Sequence, residues 1–369
     1  MDLTLDAHEH EVSKASRSLL SQLMSEETLR LIEDAQNAEA VRKVMLGIGS
    51  GDWLAAPDER EDLFSRLSFF AESGAALVPG LASMAVGAAM LADLRDDEAL
   101  RAELESGTAL VSALAGYAVG SRGPALTLDE RGPGGPRLRG IVPMVEFGAI
   151  ADVFFLLAQD AVDPNRQACV LVDTRRPQVE GQVERHGRST FGNDFRADLH
   201  IDIDLRPDEV VCASDQPELW SKSRSVRDVI AAIRLVECAG GARAVTRRTV
   251  NYVNTRHQFG KPLAQFQAVK QRAANMLILS EGAFLLASEA LAKVSDGVPR
   301  PIELEWAKSW VARAYKDVTL SAHQLHGGMG YARESGLFRW SERAKLRQLE
   351  LEADVDMSLF VNERTRLSA

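Results

Sequence analysis

The feature that most limits what this chain can fold into is a change of hydrophobic period, made twice. Up to about residue 107, apolar residues recur at helical spacing, as in 11–24 and 59–77. From about 108 the texture becomes short apolar runs (108–114, 137–145, 152–157 and 168–173). Turn material separates them, such as Gly132-Pro133-Gly134-Gly135-Pro136 and Asp163-Pro164-Asn165. The clearest strand is 199–205, where Leu199, Ile201, Ile203 and Leu205 alternate with polar residues and so share one face. From Ser225 the helical period returns through Val226, Val229, Ile230, Ile233 and Val236. A chain that switches in this way predicts an α+β fold in three parts. These are an N-terminal α-helical domain (1–107), a middle, mostly antiparallel β domain (108–213) and a C-terminal four-helix bundle (225–369).

Within the helical parts, Pro79 predicts a helix start, and the Ala- and Gly-rich stretch 75–94 reads as a buried core helix rather than a membrane span. A short helix is expected over 96–105. In the last third, helices are expected to about Thr255, over 265–293, over 301–326 and from Leu337 to the C-terminus. Gly240-Gly241 allows a neighbouring helix to approach closely.

The bulk numbers exclude several classes. A hydrophobic content of 46% with 26% charged residues is ordinary for a globular protein. A net charge of -10 disfavours a nucleic-acid partner. Cys169, Cys212 and Cys238 are odd in number and distant in sequence, which suits a reducing cytoplasm and neither a disulfide framework nor a metal cluster. Met1-Asp2-Leu3-Thr4 has no basic run of the kind that opens a signal peptide. His323 and His326 could share a helical face, but no acid joins them at ligand spacing, so no metal is expected there. His8 and His10 read as solvated.

Two segments carry chemistry. Arg256-His257-Gln258-Phe259-Gly260-Lys261-Pro262-Leu263, followed by Gln267, sits where a helix gives way to a loop. An arginine there can offer a planar fork to a phosphate, or simply satisfy the last helical carbonyls. Gln324-Leu325-His326-Gly327-Gly328-Met329-Gly330-Tyr331 puts three glycines at the end of a helix, suited to close backbone approach or to helix packing.

In this order and separation, the two segments resemble the C-terminal domain of the flavin-dependent acyl-CoA dehydrogenases. The helical, β, helical order resembles that fold as a whole. His326, Glu334, Arg343 and Ala344 fit a bacterial subgroup of the family. The resemblance implies FAD as cofactor, an acyl-CoA thioester as substrate, and tetrameric assembly with itself or with a second acyl-CoA dehydrogenase subunit. It also implies an electron-transfer flavoprotein as acceptor. It assigns Arg256, Phe259, Gln267, Gln324, Gly327 and Gly328 to the cofactor, mostly its ADP half, across a subunit interface.

The rest of the family pattern departs. The position where many members carry the catalytic base, in a Glu-Gly-Thr sequence, falls on Leu351, flanked by Glu350 and Glu352. A second subgroup's base position falls on Ile230, with Asp228 the nearest acid. Glu350, Glu352, Asp354 and Asp356 read as a solvated acidic stretch, and Glu237 as a structural residue. In the β domain, Gly140-Ile141-Val142-Pro143 lacks the lysine of the flavin-ring turn. Gly120-Ser121-Arg122 is what is left of a Gly-Ser-Asp element, and 47–51 is a trimmed glycine-rich loop. The expectation is a non-catalytic subunit of an α2β2 acyl-CoA dehydrogenase of the actinobacterial steroid side-chain type, with no catalytic residue of its own. A self-sufficient homotetramer using Glu352 or Asp228, and a flavin-free structural homologue, are the two other readings.

Overall fold

A computed structural model describes residues 7–33, 36–57, 60–115, 124–131, 135–179, 181–190, 192, 194–299 and 301–355. The first four residues, Gly120-Ser121-Arg122, Gly132, Pro133, Gly134 and Asp356 lie outside the described residues, as does the side chain of His8. Contacts gather the chain into two units. One comprises Ser25–Asp58 and Pro79–Ile230, the other Met1–Met24, Glu59–Val78 and Ala231–Ala369.

The first of these is built on an eight-stranded sheet of β1 (Val111–Ala115), β2 (Leu126–Asp129), β3 (Arg137–Val145), β4 (Val153–Asp160), β5 (Gln167–Asp173), β6 (Val183–Gly187), β7 (Ala197–Asp204) and β8 (Val210–Ala213). The order is β6-β7-β3-β2-β4-β5-β8, with β1 also on β4. All pairings are antiparallel except β1 and β2 with β4. β4 is therefore interior, and its residues from Val153 to Ala158 are all buried. In β7 the alternation acts as its sequence implies: Leu199, Ile201 and Ile203 enter the core, and Asp202 and Asp204 face water. Pro143, with no N–H to give, sits where the β3–β7 register shifts between Val142 and Val145. The following Met144 has φ 57° and gives its N–H to the Asp198 carboxylate at 2.8 Å.

One expectation changes in this unit. Residues 47–51 are not a trimmed glycine-rich loop. They span the end of helix Ala38–Gly49, and a Cβ on Gly49 would lie 2.2 Å from the Ser106 carbonyl oxygen. That glycine serves close packing. Cys169 and Cys212, distant in sequence, are register partners across β5 and β8, both buried and free. Of the stretch 75–94 read as a core helix, Leu81–Asp93 is one and is buried over nearly its whole length, but 76–80 is turn and loop and the helix starts two residues after Pro79. No helix among the described residues is long and apolar enough to cross a membrane.

The other unit holds the long helices: Pro217–Thr255 from residue 231 onward, Gln267–Ser295, Ile302–His326 and Leu337–Ala353. Gly240 and Gly74 let two backbones meet. A Cβ on Gly240 would lie 1.8 Å from the Ala71 carbonyl oxygen, and one on Gly74 would lie 1.8 Å from that of Glu237. Helix Leu67–Ala75 thus crosses the first long helix backbone to backbone, the close approach expected of Gly240-Gly241. Gly241 in turn makes room for the fully buried Tyr315. Arg243 fastens the first long helix to the second, with its Nε 3.0 Å from Glu281 and its guanidinium over the Phe284 ring.

Candidate functional site

The first motif segment is a two-residue hairpin. His257–Gln258 pairs with Lys261–Pro262, and the turn residues Phe259 and Gly260 have φ 54° and 78°. Positive φ at both central positions is the type I′ signature, which glycine adopts freely and phenylalanine does not. Phe259 is 89% exposed, with its ring edge-on to Phe266 at 6.1 Å between centroids. The Lys261 ammonium lies 4.3 Å from the Phe266 centroid, so that ring braces the hairpin. Phe266 is the N-cap of helix Gln267–Ser295, which makes the exposed Gln267 its first residue. The unpaired N–H groups and positive dipole end of a helix favour an anion there. Arg256 is exposed and has no carboxylate partner among the described residues, while its backbone carbonyl accepts from the Leu263 N–H at 2.9 Å and closes the loop.

The second segment ends helix Ile302–His326. Gly327 caps it at φ 61°, ψ −139°, a conformation suited to glycine, and Gln324, Gly327 and Gly328 are exposed. A Cβ on Gly327 or Gly328 would meet nothing within 4 Å, so the space over both is open. Gly330 differs: its Cβ would lie 2.9 Å from the His323 carbonyl oxygen, so it serves packing.

The two segments are joined by a contact that sequence reading missed. His326 stacks on Tyr252 at 4.2 Å between centroids, and Tyr252 lies one helical turn before Arg256. The Nδ1–H of His326 gives to the Ala322 carbonyl at 2.9 Å, which leaves Nε2 as the acceptor. Burial holds the imidazoles of His326 and His323 below the usual histidine value. His323 instead meets the Ser341 hydroxyl and stacks on Tyr331. The two rings thus serve different neighbours.

The acids near the family's base positions are not the solvated stretch their sequence suggests. Leu351 is 4% and Ile230 6% exposed. Ile230 fills the space over Gly87, where a Cβ would lie 2.6 Å from its Cδ1. Glu350 pairs with Arg347. Glu352 accepts from Arg313 at 3.2 Å and from Gln348 at 3.1 Å. Burial would raise its carboxyl, but those two donors outweigh it and hold the group below the ordinary range. Asp354 meets the buried Lys308 ammonium at 2.8 Å, and Glu305 meets it at 3.0 Å. Burial would lower the Lys308 pKa, but the two carboxylates more than offset this and raise it. Glu237 is buried, lining a small cavity with Cys238, Tyr315, Arg343 and Arg347.

Comparison with known proteins agrees with this architecture. The fold is that of the acyl-CoA dehydrogenases. Butyryl-CoA dehydrogenase from Megasphaera elsdenii superposes with a TM-score of 0.81 at 18% identity, over 100% of both chains. The ChsE4-ChsE5 complex from Mycobacterium tuberculosis gives a TM-score of 0.82 at 21% identity, over 100% of this chain and 99% of that one. In sequence, the profile of the acyl-CoA dehydrogenase C-terminal domain matches residues 230–350. A short-chain-specific acyl-CoA dehydrogenase of Megasphaera elsdenii is 34% identical over 113 residues, 31% of this chain and 30% of that protein. Acyl-CoA dehydrogenase FadE34 of Mycobacterium tuberculosis is 36% identical over 121 residues, 32% of this chain and 17% of that protein. The matched stretch thus spans less than a third of these relatives' length. Sequence similarity to the acyl-CoA dehydrogenases is thus confined to the C-terminal helices, while the solved structures share the fold of the whole chain.

Proposed function

We propose that the chain is the non-catalytic subunit of an FAD-dependent acyl-CoA dehydrogenase built from two different chains. The observation that carries this reading is the filling of both family base positions by buried apolar side chains, Leu351 and Ile230. The nearest acids at the end of the last helix, Glu350, Glu352 and Asp354, are already committed to Arg347, Arg313 and Lys308. A general base must reach the substrate carbon, and a carboxylate tied to a cation on its own chain is poorly placed to do so.

The cofactor-side residues have the opposite character. An exposed arginine with no carboxylate partner among the described residues, a helix N-terminus at Gln267, and a glycine pair under open space suit a dinucleotide pyrophosphate. Arg256 would give its fork to a phosphate, Gln267 and Gln324 their amides to the ADP half, and Gly327 and Gly328 close backbone approach. Phe259 would cover an apolar part of the cofactor. Bound FAD supplies the hydride acceptor for α,β-dehydrogenation of the thioester. The partner subunit would supply the carboxylate and the flavin-ring pocket, and an electron-transfer flavoprotein would take the electrons. Support for two unlike chains comes from the ChsE4-ChsE5 complex and from a steroid acyl-CoA dehydrogenase among the structural neighbours. They make a steroid side-chain thioester the substrate class to try first.

The test is a flavin absorbance spectrum and a turnover assay. The chain is purified alone, then co-expressed with a second acyl-CoA dehydrogenase subunit encoded beside it. Flavin and turnover appearing only with the partner is the expected result. Full flavin and turnover in the chain alone would replace this reading with a self-sufficient enzyme. No flavin in either preparation would replace it with a flavin-free homologue.

A further inference from the structure

The solvent face of the β6–β7 edge carries a group of side chains that the flavin chemistry does not use. β6 is the terminal strand of the sheet, and its Glu184 and His186 point to the same side. Glu184 stands directly opposite His200 in β7, and His186 opposite Asp198, so His186 and His200 are diagonal neighbours. Their ring centroids are 4.5 Å apart. The His186 Nε2 lies 3.6 Å from a Glu184 oxygen. One ligand atom from each of Glu184, His186 and His200 lies within 4.8 Å of the others.

The surrounding charges set this trio apart. Asp198 is held by Arg188 and the Met144 N–H, which keep its carboxyl below the usual range. Asp202 is held by Arg137 and Arg139, at 2.9 and 2.8 Å. Asp204 also meets Arg137, at 3.3 Å. Arginine therefore occupies the other three acids on the outward positions of β7. Among the described residues no arginine pairs with Glu184, His186 or His200, and His200 also lies in electrostatic reach of Asp198.

From this geometry we propose that Glu184, His186 and His200 form a binding site for a divalent transition-metal ion, zinc above all. Two imidazoles and one carboxylate are the ligand types such an ion takes from proteins, with water completing a tetrahedron. Ligand atoms at about 2.0–2.1 Å from zinc lie roughly 3.3–3.5 Å from each other. Closing from the present separation needs about an ångström of movement, within reach of exposed side chains by rotamer adjustment. The ion would clip the terminal strand to its neighbour.

The test uses the full chain without a histidine tag, titrated with zinc chloride against a chromophoric zinc indicator, and separately with cobalt(II). The expected result is one site, with an intense tetrahedral cobalt(II) visible band. His186→Ala and His200→Ala should each weaken zinc at least tenfold and abolish the band. Glu184→Gln should weaken it several-fold. His257→Ala, on the hairpin of the other unit, should leave zinc affinity unchanged. Absence of a site at micromolar zinc, or equal affinity in His186→Ala and His200→Ala with the fold intact by circular dichroism, would overturn the proposal.

Discussion

Replacing Gly240 with alanine sets two effects of opposite sign against each other. In a helix interior, Gly→Ala is intrinsically stabilising by about 1 kcal/mol. At this position the new Cβ would lie 1.8 Å from the Ala71 carbonyl oxygen, 2.6 Å from its carbonyl carbon and 2.8 Å from its Cα. The obstructing atoms are backbone, so no side-chain rotation relieves them. The two helices would have to part by roughly 1.5 Å, in an interior packed at crystal-like density. Overpacking typically costs about 1–3 kcal/mol, and a backbone-on-backbone clash belongs at or beyond the upper end. The net expectation is a loss of at least about 2 kcal/mol, with steric repulsion outweighing propensity. Urea unfolding followed by circular dichroism reads it as a lower midpoint at unchanged slope. Gly282→Ala is the matched control. Its nearest obstruction is the Trp310 ring at 3.1 Å, a side chain that can yield, so its change should stay within about 1 kcal/mol. A Gly240→Ala midpoint equal to or above that of the parent would refute the reasoning.

Arg256→Ala in the assembled complex should weaken FAD by about 1.5–3 kcal/mol, the range for a hydrogen bond to a charged group, and flavin titration would expose an unchanged affinity. Glu350→Gln, Glu352→Gln and Asp228→Asn should each keep turnover within about an order of magnitude, short of the roughly 10²–10⁴-fold loss on removing a general base. A thousandfold drop in any of them would make this chain catalytic. Lys308→Met should destabilise by about 3 kcal/mol, the low end for breaking a buried pair because Asp354 is 36% exposed. The Lys308 pKa is raised on folding, so its contribution is complete below the unfolded lysine value of about 10.4 and is lost as pH rises through the higher folded value. The stability gap between parent and variant should therefore narrow in strong alkali. Light scattering should find an oligomer at micromolar concentration when the partner is present, and a stable monomer would count against the proposed assembly.

The elements legible in the sequence are those whose own residues carry the signal. The period-two run at Leu199, Ile201 and Ile203 reveals β7 because one face is buried, and 137–145 is bounded by turns on both sides. β6, with the sequence Val-Glu-Arg-His-Gly, is a polar edge strand in which Val183 is the single buried residue, so no apolar pattern announces it. The long helices were readable, though the first begins at Pro217, ahead of the apolar run from Val226. For the candidate site, Arg256 and Gly327 stand out because motif spacing is local. The Tyr252–His326 stack and the cations on Glu350, Glu352 and Asp354 are not legible in the sequence. The stack, Arg313–Glu352 and Lys308–Asp354 join different helices, and a one-dimensional pattern does not encode a pairing fixed by helix crossing.

The Phe259 hairpin tip has a consequence for concentration. A phenylalanine ring 89% in water, on a backbone with φ 54°, raises the free energy of the chain while it is alone. A surface that covered the ring fully would gain about 1.5–3 kcal/mol from that contact, or roughly ten- to a hundredfold in association constant. One side chain can thereby move the dissociation midpoint across one to two decades of protein concentration. Diluting an assembly that buries Phe259, beside one carrying Phe259→Ser, would measure that displacement directly.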